Sequence, residues 1–250
     1  MTTLKDGFLR PNTSTSFLPH TEVFWCPEES KFYSHCLDLL VLNNCLSSDR
    51  VVEFGTGDGS PIINSLIRTP FEGVIHGYEL NTSAYHVANS RIQACQLSHK
   101  YVIHNQSFFD SAKPQADYLI ANPPYLPAPD PDILMPLLHG GSDGATVTKQ
   151  LLSLGYNNIF LMISSYSNPV ETIQHANAQG YWVSEFMILP MKFGCYSSEP
   201  KVKNTIIELR KCNKAFYSSN LYLLAGVLFK EQQDCTADLS TELLQVMTAL

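Results

Sequence analysis

The sequence predicts an α/β fold with a mostly parallel sheet and helices on both faces. Short apolar runs rich in β-branched residues alternate with helical stretches, which is typical of strand–crossover–strand units. The first run leads directly into a glycine-rich turn. The predicted strands span 50–54, 74–80, 101–105, 116–121, 158–165, 181–189 and 221–229. The predicted helices span 28–43, 60–68, 82–97, 145–155, 168–179 and 238–248, with Asn81 as an expected N-cap.

The chain length fits one domain with short extensions. At 250 residues the chain can bury a sizeable core. We expect a single domain at 23–232, preceded by an arm at 1–22 and followed by a C-terminal helix within 233–250. No apolar run approaches the ~20 residues that span a bilayer, so we expect no membrane partner. Seven scattered cysteines without CxxC pairs predict no metal site and are typical of reduced thiols in the cytoplasm.

Composition and charge narrow the class of partner. Hydrophobic residues make up 44% and charged residues 16% of the chain, a balance that excludes a disordered protein. A net charge of −7 disfavours nonspecific nucleic-acid binding by the whole surface. The segment 191–219 differs, with six Lys or Arg residues against two Glu, a local balance of +4. It is either a solvated surface element or a docking patch for an acidic or phosphate-bearing partner.

The glycine-rich turn is a candidate nucleotide site. Gly55, Gly57 and Gly59 lie in VVEFGTGDGSP, between the first predicted strand and a helix start. Glycine allows unusual backbone angles and the close approach of a ligand, while a helix N-terminus presents free N–H groups. Glu53 ends the first strand. Glu79 ends the second, twenty residues after Gly59, where its carboxylate can accept hydrogen bonds from a ribose diol. A nicotinamide dinucleotide would use a closely related pattern.

The tetrapeptide NPPY, Asn122 to Tyr125, follows the fourth predicted strand. An exocyclic amine or carboxamide nitrogen is a poor nucleophile because its lone pair is delocalised. The Asn122 side-chain oxygen and a main-chain carbonyl, that of Pro123, can accept its N–H hydrogens, while Tyr125 can stack on the planar group. Pro123 and Pro124 stiffen the loop. Because positive charge builds on nitrogen as it is alkylated, these acceptors favour the transition state. The alternative is a plain Asn-Pro-Pro turn closing a strand.

Together the glycine turn, Glu79 and NPPY resemble class I S-adenosylmethionine-dependent methyltransferases. That resemblance covers 23–230 in element order and implies a Rossmann-like seven-stranded sheet whose last strand is antiparallel. It implies S-adenosylmethionine as cofactor, with Glu53 near its methionine moiety and Glu79 at its ribose. The residues assigned to the cofactor are Glu53, Gly55, Thr56, Gly57, Gly59, Glu79, Ser107 and Asn122. Asn122, Pro123 and Tyr125 are assigned to catalysis.

A second segment narrows the resemblance. HGGSDGATVTKQLL at 139–152 is similar to the GGxDG segment of HemK-like release-factor glutamine methyltransferases. There Gly140, Gly141 and Gly144 permit a tight turn and Asp143 can cap the following helix. The substrate-binding residues expected from this comparison are Pro124, Tyr125 and Asp143. The preferred acceptor is therefore a macromolecule, a protein glutamine amide ahead of an adenine or guanine amino group in RNA or DNA.

Two departures from the family pattern keep alternatives open. Members of the resembled family often carry an acidic residue after the third strand, where this chain has Ser107, with Asp110 three residues later. A cofactor-binding module without catalysis is therefore an alternative. Bacterial release-factor enzymes also carry a helical N-terminal substrate domain, whereas about 25 residues precede the first predicted helix here. The segment 191–219 is the candidate for substrate recognition. A nicotinamide-dependent oxidoreductase is disfavoured because no proton-donating Tyr/Lys or His pair accompanies the turn.

Overall fold

A computed structural model of the chain describes residues 23–110 and 113–250. The arm expected at 1–22 lies outside the described residues. The strands, in chain order, are β1 (Val51–Phe54), β2 (Ile75–Tyr78), β3 (Tyr101–His104), β4 (Tyr118–Ala121), β5 (Asn158–Ser164), β6 (Tyr181–Lys192), β7 (Tyr217–Ser218) and β8 (Leu221–Glu231). The helices are α1 (Pro27–Cys36), α2 (Ser60–Arg68), α3 (Thr82–Ala94), α4 (Thr146–Leu152), α5 (Pro169–Ala178), α6 (Pro200–Lys211) and α7 (Ser240–Met247).

All of these strands belong to one sheet. Its order is β3-β2-β1-β4-β5-β8-β6, and the two-residue β7 pairs with β8. Strands β1 to β5 are parallel, while β8 is antiparallel to both β5 and β6. The predicted seven-stranded sheet with an antiparallel last strand is confirmed, with β7 as a short addition. Because β1 and β4 are parallel neighbours, the turns after them open at the same edge of the sheet.

Helices cover both faces of the sheet, as predicted. One apolar layer includes Phe32 of α1, Ile62 of α2 and Val202 of α6. The other includes Leu151 of α4 and Leu243 of α7. Burial of such side chains contributes about 1.5–3 kcal/mol each, so both layers stabilise the sheet. No helix in the described ranges is long and apolar enough to cross a membrane.

Three local features refine the predicted elements. The helix expected over 28–43 is α1 followed by a π-helical segment, Leu37–Leu42. Asn81 is the N-cap of α3, as predicted: its side chain accepts from Ser83 N at 2.9 Å and Ala84 N at 3.3 Å. Helix α6, which was not among the predicted helices, lies inside 191–219 and buries Val202 and Ile206. The polar residues between these two positions, Lys203, Asn204 and Thr205, obscured the apolar stripe.

Candidate active site

A cavity of about 660 Å³ opens at the carboxyl ends of β1, β2 and β4. This is the edge at which open α/β sheets bind ligands, and the volume falls within the roughly 300–1,000 Å³ of small-molecule sites. Its lining includes residues from the glycine turn, the end of β2, the loop after β3 and all four positions of NPPY. The structure thus brings together the two motifs that the sequence singled out.

The glycine turn contributes backbone to the cavity wall. Gly55, Thr56 and Gly57 line the cavity, and the two glycines have φ values of +71° and +58°. A Cβ built at either glycine meets nothing within 4 Å, so both positions face open space. Gly59 does not line the cavity; a Cβ there would lie 3.0 Å from the Ala88 Cβ. Gly59 therefore serves the packing of α2 against α3, and the direct cofactor contact expected of it finds no support here.

Glu79 lines the cavity just after β2. It accepts hydrogen bonds from Gly57 N at 2.6 Å and Asn81 N at 2.8 Å. Burial raises the pKa of this carboxyl, while hydrogen bonds from the Asn81, Gly57 and Leu80 backbone groups lower it. The carboxylate is thereby fixed at the cavity wall, where its remaining lone pairs can accept from hydroxyl groups.

Glu53 lies behind the cavity wall and is not one of its lining residues. It is 1% exposed, and its carboxylate accepts from the Tyr33 hydroxyl at 3.4 Å and from the Tyr101 hydroxyl. Burial raises its pKa to about 8. Tyr33 itself lines the cavity and so connects Glu53 to it. The direct contact of Glu53 with a methionine moiety, which the resemblance implied, finds no support in this position.

The loop after β3 forms another side of the cavity. Ser107 lines it together with Phe108 and Phe109, whereas Asp110 does not. The Asp110 N–H donates to the Ser107 Oγ at 3.3 Å. Of the two residues considered for an adenine contact, Ser107 is therefore the better placed. The Phe109 ring, 44% exposed, offers an apolar surface at the same place.

Asn122 has one half of its amide engaged and the other half free. Its Nδ2 donates to Glu29 Oε1 at 2.8 Å, while its Oδ1 is buried and accepts no hydrogen bond within the described residues. No described backbone N–H donates to the Pro123 carbonyl oxygen either. A buried oxygen without a donor costs about 1–3 kcal/mol, so this orphaned acceptor in a cavity wall points to a ligand that supplies an N–H.

Tyr125 is buried, at 8% exposure, and its hydroxyl also hydrogen-bonds Glu29. Its ring centroid lies 5.8 Å from that of Tyr166, which in turn lies 4.7 Å from that of Tyr222. Sequence reasoning missed these two tyrosines and Glu29. The available signal for Glu29 was its place in PEE, at the start of the helix predicted over 28–43.

The GGSDG segment, residues 140–144, packs against the backbone of NPPY. A Cβ at Gly140 would fall 2.8 Å from the Pro124 carbonyl oxygen, and one at Gly144 would fall 2.5 Å from the Tyr125 carbonyl oxygen. The glycines therefore allow two backbones to approach closely. The Ser167 Oγ also donates to the Tyr125 carbonyl at 2.7 Å. These contacts fix the loop in which the predicted catalytic residues lie.

Asp143 does not reach the cavity lining. Its carboxylate accepts from Ala145 N at 3.0 Å, Asn168 Nδ2 at 2.7 Å and Lys149 Nζ at 3.3 Å. The predicted helix-capping role is present in a modified form, since Ala145 occupies the N-cap and Asp143 binds its N–H. The expected substrate contact of Asp143 has no support in this geometry.

The segment 191–219 contributes to the cavity through its first residues. Those that line it are Met191, Lys192, Phe193, Gly194, Tyr196 and Ser197. Much of the basic excess is neutralised by ion pairs, which join Lys201 to Asp130 and Asp132, Lys211 to Glu208, and Lys214 to Glu171. Lys192 and Lys203 have no salt-bridge partner within 23–110 and 113–250. Among those same residues no group of three or more His, Cys, Asp or Glu side chains could hold a metal ion.

Known proteins resemble this chain in part of its sequence and in its fold. No family model matches the sequence. A tRNA1(Val) (adenine(37)-N6)-methyltransferase of Pasteurella multocida (strain Pm70) is 31% identical over 83 residues, which is 32% of this chain and 35% of that enzyme. The chain thus spans about a third of the length of this curated relative.

Solved structures extend the comparison over most of the chain. The E. cuniculi Mtq2–Trm112 complex, responsible for methylation of the termination factor eRF1, has a TM-score of 0.52 at 16% identity, covering 83% of this chain and 99% of that one. The magnesium protoporphyrin IX methyltransferase of Synechocystis PCC 6803 with bound S-adenosylmethionine has a TM-score of 0.50 at 13% identity, covering 80% and 79%.

The chain has the class I S-adenosylmethionine-dependent methyltransferase fold. Its mixed sheet and antiparallel β8 are those that the sequence resemblance implied. At these identities the likeness extends to the fold alone, and one fold hosts many chemistries. The reaction of this methyltransferase fold must therefore be argued from the side chains in its cavity.

Proposed function

We propose that this protein is an S-adenosylmethionine-dependent N-methyltransferase that acts on a planar, conjugated nitrogen. The observation that carries the proposal is the buried Asn122 Oδ1, which belongs to a cavity-lining residue and has no described donor. Asn122 follows β4, and β4 is the direct neighbour of the strand that leads into the glycine turn. Acceptor and cofactor sites are therefore adjacent.

The residues present fit the cofactor. Gly55 and Gly57 leave open the space that a Cβ would fill, and Glu79 presents a fixed carboxylate beside them. Glu79 would accept hydrogen bonds from the ribose hydroxyls of the cofactor, and Ser107 and Phe109, which line the same cavity, would hold its base. When bound, S-adenosylmethionine supplies a methyl group activated by its sulfonium. Placing that group next to the acceptor nitrogen accounts for much of the rate enhancement expected of such a site.

The chain's own groups then prepare the nitrogen. The Asn122 Oδ1 and the Pro123 carbonyl accept the two N–H hydrogens of an NH2 group, which draws its lone pair toward the methyl donor. Both oxygens bind more strongly as the nitrogen becomes positive, so they stabilise the transition state over the ground state. The cofactor would supply the methyl group to this nitrogen and leave as a neutral thioether, and the surplus proton of the methylated nitrogen would pass to water.

For the acceptor, a purine amino group in RNA is the stronger candidate. The cavity includes a wall of aromatic side chains on which a flat base would bury its faces; they are Phe24, Tyr125, Tyr166, Phe193, Tyr196 and Tyr222. Lys192, which has no ion-pair partner among the described residues, lines the same cavity and suits a phosphate. The tRNA adenine specificity in the name of the Pasteurella relative favours the same class. The base would have to be unpaired or flipped out of its helix.

A glutamine amide of a protein is the second candidate. It presents the same planar NH2 group to Asn122, and the GGSDG segment that supports NPPY is the feature that resembles HemK-like enzymes. The Mtq2–Trm112 complex acts on a termination factor, but its likeness to this chain concerns the fold. The preference for protein that the sequence suggested therefore has no independent support, and nucleic acid moves ahead of it.

A labelling experiment separates these possibilities. Cell extract is incubated with the purified protein and methyl-labelled S-adenosylmethionine, then treated with ribonuclease or protease. We expect ribonuclease to release the label as a methylated purine nucleoside. Label released only by protease identifies the amide acceptor, and label in neither fraction that depends on the protein refutes the proposed activity.

Two variants locate the reaction in the cavity. Gly57→Arg should abolish cofactor binding in calorimetry. Gly180→Arg is the matched control, since Gly180 also has positive φ and no neighbour within 4 Å but does not line the cavity. Asn122→Ala should reduce turnover by about 10²–10³-fold, the cost of removing one transition-state hydrogen bond, while cofactor affinity stays within a few-fold. Binding of NAD instead of S-adenosylmethionine would show that the cofactor assignment is wrong.

A further inference from the structure

Glu29, in the first turn of α1, is a buried carboxylate that the predicted motifs did not include. It is 4% exposed and lines the same cavity as NPPY. No described cation forms an ion pair with it. Burial raises the pKa of its carboxyl, and hydrogen bonds from Tyr125 and Asn122 act in the opposite direction. An uncompensated carboxylate in such a place is costly to the fold.

The two groups that bind Glu29 are the two polar side chains of NPPY. Asn122 Nδ2 donates to Glu29 Oε1 at 2.8 Å, and the Tyr125 hydroxyl donates to the same carboxylate. A carboxylate only accepts hydrogen bonds, so it can bind the NH2 half of the Asn122 amide and must repel the oxygen half. With Nδ2 committed to Glu29, the Oδ1 is left without a described donor.

We propose that Glu29 is a positioning residue that locks the Asn122 amide with its oxygen toward the methyl acceptor. This inference rests on the proposed function and adds to it the group that selects one of the two amide orientations. The flipped amide would present NH2 hydrogens to an acceptor that also carries NH2 hydrogens, and the site would be lost. A neutral apolar side chain would fill the same space at a lower desolvation cost, but it could not make this selection.

The first test measures the amide directly and needs no methyl acceptor. In the full-length protein labelled with [15N]asparagine, the Asn122 side-chain signal is identified by its absence in Asn122→Asp. We expect its NH2 protons to be protected from solvent exchange in the wild type and in the surface control Glu72→Leu. In Glu29→Leu that protection should fall by at least tenfold. Unchanged protection in Glu29→Leu would overturn the proposal.

The second test swaps the partners. In Glu29→Gln, either the Asn122 Nδ2 or the Tyr125 hydroxyl faces the NH2 group of the introduced glutamine and loses its acceptor. In Asn122→Asp, the introduced carboxylate faces that of Glu29. The double variant Glu29→Gln/Asn122→Asp restores complementarity, because the introduced glutamine can donate through its Nε2 to the introduced aspartate while its Oε1 accepts from Tyr125. We expect each single variant to lower kcat about 10- to 100-fold, the worth of a charged hydrogen bond. The kcat of the double variant should be at least tenfold higher than that of the less active single variant.

The readouts separate positioning from structural support. Cofactor Kd and the KM for the acceptor should stay within a few-fold of wild type in Glu29→Leu, while kcat falls. In an Asn122→Ala background, Glu29→Leu should lower kcat no further, since there is no amide left to orient. Equal losses of kcat on Glu29→Leu in the wild-type and Asn122→Ala backgrounds would refute the positioning role. A kcat of Glu29→Gln/Asn122→Asp no higher than the product of the two single effects predicts would refute it as well. If the wild type methylates nothing, the proposed function fails and the exchange measurement still decides whether Glu29 orients the amide.

Discussion

Replacing Glu53 with glutamine tests the electrostatics of the buried layer behind the cavity wall. Glu53 is 1% exposed in β1, and its carboxyl oxygens accept hydrogen bonds from neutral hydroxyl groups, those of Tyr33 and Tyr101 among them. Burial raises its pKa to about 8, compared with 4.5 for an ordinary glutamate. The glutamine side chain keeps the shape and one acceptor but cannot ionise, so the two proteins differ mainly in this titration.

The sign follows from proton binding. Between pH 4.5 and 8 the folded wild type holds a proton on Glu53 that the unfolded chain has already released. The free energy of unfolding therefore falls as pH rises through this window. The stability that protonated Glu53 contributes is fully present only below the pKa of the unfolded chain. For a folded pKa of about 8, the loss between pH 5 and pH 8 comes to about 3–4 kcal/mol. The variant lacks this pH dependence.

Urea unfolding at pH 5 and pH 8, followed by circular dichroism at constant ionic strength, measures the difference. The wild type should lose about 3–4 kcal/mol more than Glu53→Gln between the two conditions. Glu29 and Glu79, whose pKa values burial also raises, are present in both proteins and cancel. The variant Glu72→Gln, at an exposed position, should follow the wild type. Parallel pH dependences for wild type and Glu53→Gln would refute the reasoning.

Three further substitutions test the packing. Gly226→Ala should cost about 1–3 kcal/mol, because its Cβ would lie 2.6 Å from the Cys36 Sγ; urea unfolding should show partial recovery in Gly226→Ala/Cys36→Ala. Gly144→Ala should lower the rate of methylation more than cofactor affinity, because at φ +78° its Cβ would lie 2.5 Å from the Tyr125 carbonyl oxygen. A loss confined to cofactor affinity would contradict this. Asn81→Ala should lower the free energy of unfolding by about 1 kcal/mol through loss of the α3 cap, and an unchanged value would show the cap to be dispensable.

Local sequence was enough to predict most of the sheet. The strands β1 to β5 are short, largely apolar runs between glycine, proline and polar residues, so pattern alone located them within a few residues. The glycine turn was predictable for a related reason, since Gly55 and Gly57 need backbone angles that few residues adopt. Helix α6 was not, because its buried positions, Val202 and Ile206, are separated by polar and charged residues that dominate the composition.

Side-chain roles in the site were harder to predict, because they depend on elements distant in sequence. Glu29 and Asn122 lie 93 residues apart, and only the packing of α1 over the end of β4 brings their side chains together. Asp143 lies within the right motif, yet its carboxylate turns toward Asn168 and Lys149 instead of the cavity. Gly59 belongs to the glycine pattern, but glycine is needed there because α3 packs closely against it. A motif therefore predicts which backbone segment meets the ligand better than which side chains do.

The position of β8 has a consequence for how the protein is made. Strand β6 pairs with β8 and with no other described strand, yet β8 is synthesised after β6, once α6 has been completed. On the ribosome, β1 to β5 can assemble while β6 and the cavity wall from Met191 onward still await a partner. The cavity wall formed by the glycine turn and NPPY can thus fold first, and the wall from Met191 onward is completed only when β8 inserts between β5 and β6. In a nascent chain, the part of the cavity lined by the glycine turn would therefore form before the part lined by Met191 and the residues after it.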